Sequence, residues 1–199
     1  MGPASLALTL WRAALDLVAP GRCAGCGRQV AVPLCELCAR QLHRGQPLAR
    51  WITTSAGTVP AFAAAPYEGC VRAALIAYKE RGRRDVGAEL ASALTRAAVM
   101  AWASGVLTSS ALLVPVPSRR DAVRERGYDA VSLLATRCAR RLKAMARAAA
   151  AAPMLRQARA VSDQAGLSIN RRRSNMSGAL AVSARGDRRR DREAARGEL

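Results

Sequence analysis

The chain has 199 residues, 51% hydrophobic but only 4% aromatic, and 32 Lys and Arg against 14 Asp and Glu give a formal charge of +18. That length suits one ordinary domain with a small appendage. An alanine-rich, aromatic-poor composition predicts a thin, helix-rich core, because alanine favours helix but buries little apolar area. No apolar run reaches the roughly 18 residues of a membrane-spanning helix. The first residues lack a basic segment and Arg12 cuts their apolar run short, so no secretory signal is expected. Charge of this size favours polyanions, although Arg enrichment with only Lys79 and Lys143 as lysines is also what a GC-rich coding sequence produces.

Residues 6–18 read as an amphipathic helix, with Leu6, Leu10, Ala13 and Leu17 on one face and Pro20-Gly21 as its stop. Lacking a basic face, it fits a docking helix better than a membrane-surface one. Two CxxC pairs follow, Cys23-Ala-Gly-Cys26 and Cys35-Glu-Leu-Cys38, eight residues apart. Each pair can grip one side of a tetrahedral ion as thiolates, and four thiolates close the shell, which makes the site structural rather than catalytic. Gly27 suits the tight turn that such a knuckle needs. Zinc is therefore the expected cofactor, ahead of disulfides or an iron–sulfur cluster, and it implies a reducing compartment and a cytoplasmic location. His43 is expected to face solvent on a helix rather than to act as a further ligand.

Residues 45–55 read as a linker, and 58–67 as an edge strand or hairpin arm interrupted by Pro60 and Pro66. Residues 70–80 are helical, with Val71, Leu75 and Tyr78 on one face and Gly82 just past the end. Asp85 is expected to cap a second helix, 86–103, with Val86, Leu90, Ala93, Ala97 and Met100 or Ala101 inward and Gly105 as its stop. Cys70 and Cys138 stand isolated and read as small core residues. Residues 112–116 form the best strand, an unbroken apolar run of the kind buried on both faces. A basic loop follows, and then Asp129 can cap a helix at 130–145 carrying Val131, Leu134, Cys138 and Leu142. The alanine run 144–152 carries little information. Residues 154–157 read as a short strand. Ser168 is placed to cap a short Arg-rich helix, and an apolar run follows at 179–182. Residues 184–199 are almost all charged or small and read as a disordered tail.

Four segments taken together resemble the ComF family of competence-associated, phosphoribosyltransferase-like proteins: CAGCG…CELC, YEGCVRAALIAYKERGRRD, LLVPVPSRRDAVRERGYD, and the pattern Q-A-G-L-S-x-x-x-R-x-x-N-x-x-x-A over residues 164–179. The likeness runs from about residue 11 to residue 182. It implies an α/β chain: an N-terminal helix and four-cysteine zinc ribbon in residues 1–50, then a type I phosphoribosyltransferase-like domain with a Rossmann-like parallel sheet in residues 56–183. On this resemblance the metal ligands are Cys23, Cys26, Cys35 and Cys38. Arg124, Arg126 and Gly127, matching R-x-R-G, would contact phosphate, together with Gln164, Arg172 and Asn175 from the loop that covers the site. The implied partners are phosphoribosyl pyrophosphate, single-stranded DNA and a competence helicase-type protein.

There are departures. Tyr128, Asp129 and Ala130 stand where the family continues Phe-Asn-Gln, and the usual Phe near Leu180 is absent. The paired carboxylates and Thr/Gly loop that would hold ribose, Mg²⁺ and the 5′-phosphate are due after residue 185, where the chain reads RGDRRRDREAARGEL. Asp187 and Asp191 are not adjacent and do not replace them. The expectation is thus an incomplete domain, consistent with truncation, linked to DNA uptake but without catalysis of its own. Two other readings remain: a non-catalytic zinc module that binds nucleic acid or protein, and an active Mg²⁺-dependent phosphoribosyltransferase.

Overall fold

A computed structural model describes residues 21–44, 47–54, 57–161, 166 and 168–183. The helix expected at 6–18, Gln164 and the charged segment 184–199 lie outside the described residues. Those described form a mixed α/β protein in two compact units that divide between Val106 and Leu107. None of their helices is long and apolar enough to cross a membrane.

The first unit holds the cysteine knuckle, helix α1 (Glu36–Arg44), a hairpin of β1 (Leu48–Thr54) and β2 (Gly57–Ala63), helix α2 (Gly69–Glu80), a 3₁₀ turn (Arg84–Val86) and helix α3 (Gly87–Ala103). The segment read as a linker is instead β1, paired antiparallel with β2 from Leu48↔Ala63 to Thr54↔Gly57. Its signal was hidden because every residue of β1 is exposed, so no buried face imposes alternation. Pro60 is tolerated in β2 because both strands of a two-stranded sheet are edges. Helix α2 buries Val71, Ala74, Ala77 and Tyr78 and leaves Leu75 only half-buried. It ends where Gly82 adopts φ +65 and the N–H groups of Arg81 and Arg83 both donate to Ala77 O.

Asp85 does not cap α3. Its carboxylate takes the Arg83 guanidinium at 2.7–3.2 Å, the 3₁₀ turn intervenes, and the helix starts at Gly87 without a side-chain cap. The inward face of α3 is the expected one, with Leu90, Ala93, Ala97 and Ala101 buried. It ends at Gly105, where Val106 N–H donates to Ala101 O and Gly105 N–H to Trp102 O. The helical core of this unit sets Ala74, Ala77, Ala91, Ala93, Ala97 and Ala101 around Val71, Tyr78, Val86, Leu90 and Trp102.

The second unit begins with β3 (Ser110–Leu113). It continues through α4 (Arg120–Arg126) and α5 (Ala130–Ala144) to β4 (Ala148–Ala151), which pairs with β3 in parallel. Pairing stops at Leu113, short of the expected 116, because Pro115 and Pro117 have no N–H to donate. The strand is half-buried rather than enclosed on both faces, and Val116 is 50% exposed, since β3 has a single neighbour. Helix α5 packs on this pair with Ala130, Ala135, Cys138, Ala139 and Leu142 buried. Then β5 (Leu155–Gln157) and β6 (Leu180–Val182) pair antiparallel and enclose α6 (Ile169–Met176), whose N-terminus is capped by Ser168. Among the described residues, parallel pairing is confined to β3 and β4.

The alanine run hides a strand, β4. Helix α5 stops when Ala146 turns left-handed at φ +55, with Arg147 N–H on Leu142 O and Ala146 N–H on Lys143 O, both 3.0 Å. This is a Schellman stop with alanine where glycine usually sits, so nothing in the sequence marked it. A Cβ in this conformation costs about 1–2 kcal/mol. Ala146→Gly is therefore expected to stabilise the protein by roughly 1 kcal/mol, measured as a raised denaturation midpoint at unchanged m-value.

Candidate metal centre

The knuckle is a short hairpin pinned by a bridge between Arg22 and Gln29 and by Cys23 N–H to Arg28 O at 2.8 Å. Gly27, at φ +77, closes the turn through its N–H to Cys23 O at 2.9 Å. Helix α1 starts directly after Cys35, so Cys35 and Cys38 project from its first turn toward the hairpin. The Sγ atoms of Cys23, Cys26, Cys35 and Cys38 all lie within 4.8 Å of one another, with Cys26 and Cys35 at 3.6 Å. Cys23, Cys35 and Cys38 are buried and Cys26 is exposed.

The electrostatics of this cluster fit a bound cation. Burial pushes the Cys23 thiol up, but N–H groups of Cys26, Cys35 and Gly25 outweigh it and bring its pKa down to about 6. The Cys35 thiol is also lowered, first by the N–H of Cys38, and Cys35 N–H itself donates to Cys23 Sγ at 3.2 Å. Cys38 moves the other way, raised by burial and then by the neighbouring thiols of Cys35, Cys23, Cys26 and Cys70. The protein thus favours the first thiolates and resists the last, because negative charge accumulates in a small volume. A divalent ion removes that obstacle. Four soft donors at this separation can hold a metal ion such as zinc, with no position left open for substrate.

The surroundings tie the cluster to the helices of the same unit. Arg83 donates to Arg22 O at 2.9 Å while its other edge holds Asp85. Arg96 donates to Leu42 O at 3.2 Å, near the C-terminal end of α1. His43 is not solvent-facing as expected: its Nε2 pairs with Glu89 Oε2 at 2.7 Å, linking α1 to α3. Cys70 is not isolated either. It sits at the start of α2 with Sγ 2.8 Å from Gln41 Oε1 and 3.8 Å from Cys38 O. Gly25 makes this approach possible, since a Cβ there would lie 2.8 Å from Cys38 Sγ and 3.0 Å from Cys70 Cβ. Cys138, by contrast, is fully buried, a core residue as expected.

The other expected site residues fall on two separate elements. Arg124 and Arg126 lie on α4, which is a helix rather than the expected loop, and Gly127 ends it at φ +72 with its N–H on Val123 O. Arg124 is exposed and Arg126 half-buried. Asp129 closes the base of this segment. Its carboxylate accepts from Ser118 Oγ at 2.8 Å, Ser132 Oγ at 2.9 Å and the N–H groups of Val131 and Ser132. Arg172, exposed, and Asn175, half-buried, lie on α6, in the connection from β5 to β6, and α4 and α6 are not packed face to face.

Sequence reading missed Arg159. Its guanidinium donates to the carbonyls of Ser174, Asn175 and Ser177 at 2.7–3.3 Å and so secures the C-terminal end of α6. An arginine in a loop carries no signal for a partner far along the chain. No family model and no curated protein matches this chain.

Two outcomes follow from this geometry. Gly25→Ala must displace Cys38 or Cys70, and is expected to weaken metal retention against a chelator and to lower the melting temperature of the loaded protein, followed by circular dichroism. The second concerns Asp129: burial opposes its ionisation, the four hydrogen bonds outweigh that, and its pKa is lowered. A lowered folded-state pKa contributes stability in full above the unfolded value of about 4 and loses it as pH falls through the folded value. Asp129→Asn should flatten the acid limb of the stability–pH curve below about pH 4, and Asp129→Ala should cost about 0.5–2 kcal/mol at neutral pH.

Proposed function

We propose that the chain is a zinc-bearing protein of the ComF type, in which the metal is structural and the second unit contacts phosphate groups without transferring a phosphoribosyl group by itself. The observation that carries the metal assignment is the four-thiol cluster closed to within 4.8 Å. Zinc suits it because that ion favours tetrahedral thiolate sets and has no redox chemistry of its own. Its role is to hold a knuckle too small for a hydrophobic core, so that metal binding and folding are one event.

Support for phosphate contact comes from the parallel pair. Open parallel sheets receive anionic ligands beyond the carboxyl ends of their strands, and Val114-Pro-Val-Pro117 and α4 with Arg124 and Arg126 follow that end of β3. The exposed arginines of α6 add positive potential. The ligands that fit are phosphoribosyl pyrophosphate and single-stranded DNA. Asp129 serves as a helix cap, and no adjacent carboxylate pair with a Thr/Gly loop occurs in the 199 residues. Mg²⁺-dependent transfer would need such a partner set.

A second reading is a module for a protein partner of the competence helicase type. It is favoured by the hairpin, where Trp51 is 70% exposed and Ile52 and Val59 each 49%. Such apolar exposure on an edge strand is uncommon without a partner.

One set of measurements decides among these. Metal analysis should find one zinc per chain. A labelled single-stranded oligonucleotide should bind with an affinity that falls steeply with salt, and Arg124→Ala or Arg126→Ala should each reduce the log–log slope by about 0.7. Salt-insensitive binding, or none, would exclude phosphate contact and leave the protein-partner reading. Tight Mg²⁺-dependent binding and turnover of phosphoribosyl pyrophosphate would overturn the non-catalytic assignment.

A further inference from the structure

The cysteine cluster has a fifth member. Cys70 is not part of the two CxxC pairs, yet it lies against Cys38. Its Sγ is 3.8 Å from Cys38 O, and its Cβ and the Cys38 Cβ and Sγ all fall 2.8–3.1 Å from the single point where a Gly25 Cβ would stand. The two side chains therefore share one small space, kept open by the absence of a side chain at residue 25. They belong to different elements, Cys38 to α1 and Cys70 to α2, and their exposures differ: Cys38 is buried and Cys70 half-buried. Gln41, one turn beyond Cys38 on α1, accepts from Cys70 Sγ at 2.8 Å and holds that thiol over Cys38.

We propose that Cys38 and Cys70 form an oxidative modification site, at which hydrogen peroxide closes a Cys38–Cys70 disulfide and the metal is released. The inference rests on the metal assignment above. Cys70, the more accessible of the two, gives up its proton and attacks one oxygen of hydrogen peroxide as the thiolate; the O–O bond breaks, the leaving hydroxide takes that proton and departs as water, and Cys70 becomes a sulfenic acid. Cys38, a thiolate while bound to the metal, leaves the ion and attacks Cys70 Sγ, displacing hydroxide. Two electrons pass from the two sulfurs to the peroxide, and the products are one disulfide, one water and one hydroxide. The ion is left with three thiolates and an open position, which water or a chelator fills. A fifth thiol placed outside a complete coordination shell is what this chemistry needs, because the metal itself shields its four ligands from pairing with one another.

The contacts of the disulfide are local: the β-carbons of Cys38 and Cys70 lie 3.1 and 3.0 Å from the same point beside Gly25, and rotation about the two Cα–Cβ bonds is the motion that brings the sulfurs together. A dithiol reductant reverses the step and restores all four ligands.

The test uses the full-length, metal-loaded chain. Zinc is quantified first, hydrogen peroxide is then added in equimolar steps, released zinc is read with a chromogenic chelator, and unreduced peptides are mapped by mass spectrometry. The expected result is a peptide cross-link between Cys38 and Cys70 that appears in step with zinc release, with both reversed by a dithiol. Cys70→Ser should load zinc like the parent and release it severalfold more slowly at the same peroxide. Should that variant fold poorly, the cross-link map of the unmodified chain carries the test alone. Zinc release with cross-links only among Cys23, Cys26, Cys35 and Cys38, or equal release rates in parent and Cys70→Ser, overturns the inference and leaves the metal assignment intact. A freshly prepared chain without zinc overturns the metal assignment before any oxidant is added.

Discussion

Four thiols held within a few ångströms cannot all lose their protons unless a cation balances them, and the first unit is organised around that constraint. The opposite shifts of Cys23 and Cys38 express it: hydrogen bonds from the knuckle backbone stabilise the first thiolates, and burial, together with the neighbouring thiols, resists the last. Metal binding would resolve the conflict and in doing so fix the start of α1, because Cys35 and Cys38 stand at its first turn. The position of α1 then matters to both other helices. His43 reaches Glu89 on α3, Arg96 of α3 reaches back to Leu42, and Gln41 meets Cys70 on α2. The cysteine module is thus the keystone of the helical unit and not an ornament attached to it.

A thin core makes those polar ties more consequential. Alanine buries little area, so the hydrophobic driving force per helix is small, and the largest fully buried side chains are Tyr78, Leu142, Val86 and Cys138. In such a protein the helix ends carry a larger share of the definition of the fold. Gly105 and Ala146 stop their helices with the same pair of backbone hydrogen bonds, one at a residue suited to the left-handed region and one at a residue that is not.

In the second unit the position of Asp129 decides what the segment after β3 can do. A carboxylate that accepts from two hydroxyls and two N–H groups is committed to folding: it ties Ser118 to the start of α5 and closes the base of the segment that presents Arg124 and Arg126. The carboxylate is thus occupied by the cap of α5, and Arg124 and Arg126 stand on the short helix that precedes it.

The sequence by itself determined the four-cysteine cluster, the helices close to 70–80 and 86–103, the Asp129 and Ser168 caps, and the stops at Gly82 and Gly105. These depend on spacing, periodicity or a single residue's conformational freedom, all of which act within a few positions along the chain. Tertiary structure alone decided the rest. Strand β4 emerges from an alanine run because α5 packs on it and Ala146 yields to a left-handed turn. Strand β1 exists because β2 pairs with it, although neither of its faces is buried. His43, Cys70 and Arg159 acquired roles from groups 15 or more positions away in the chain. Such contacts have no local signature: a side chain's partner across space leaves no trace in the residues that flank it.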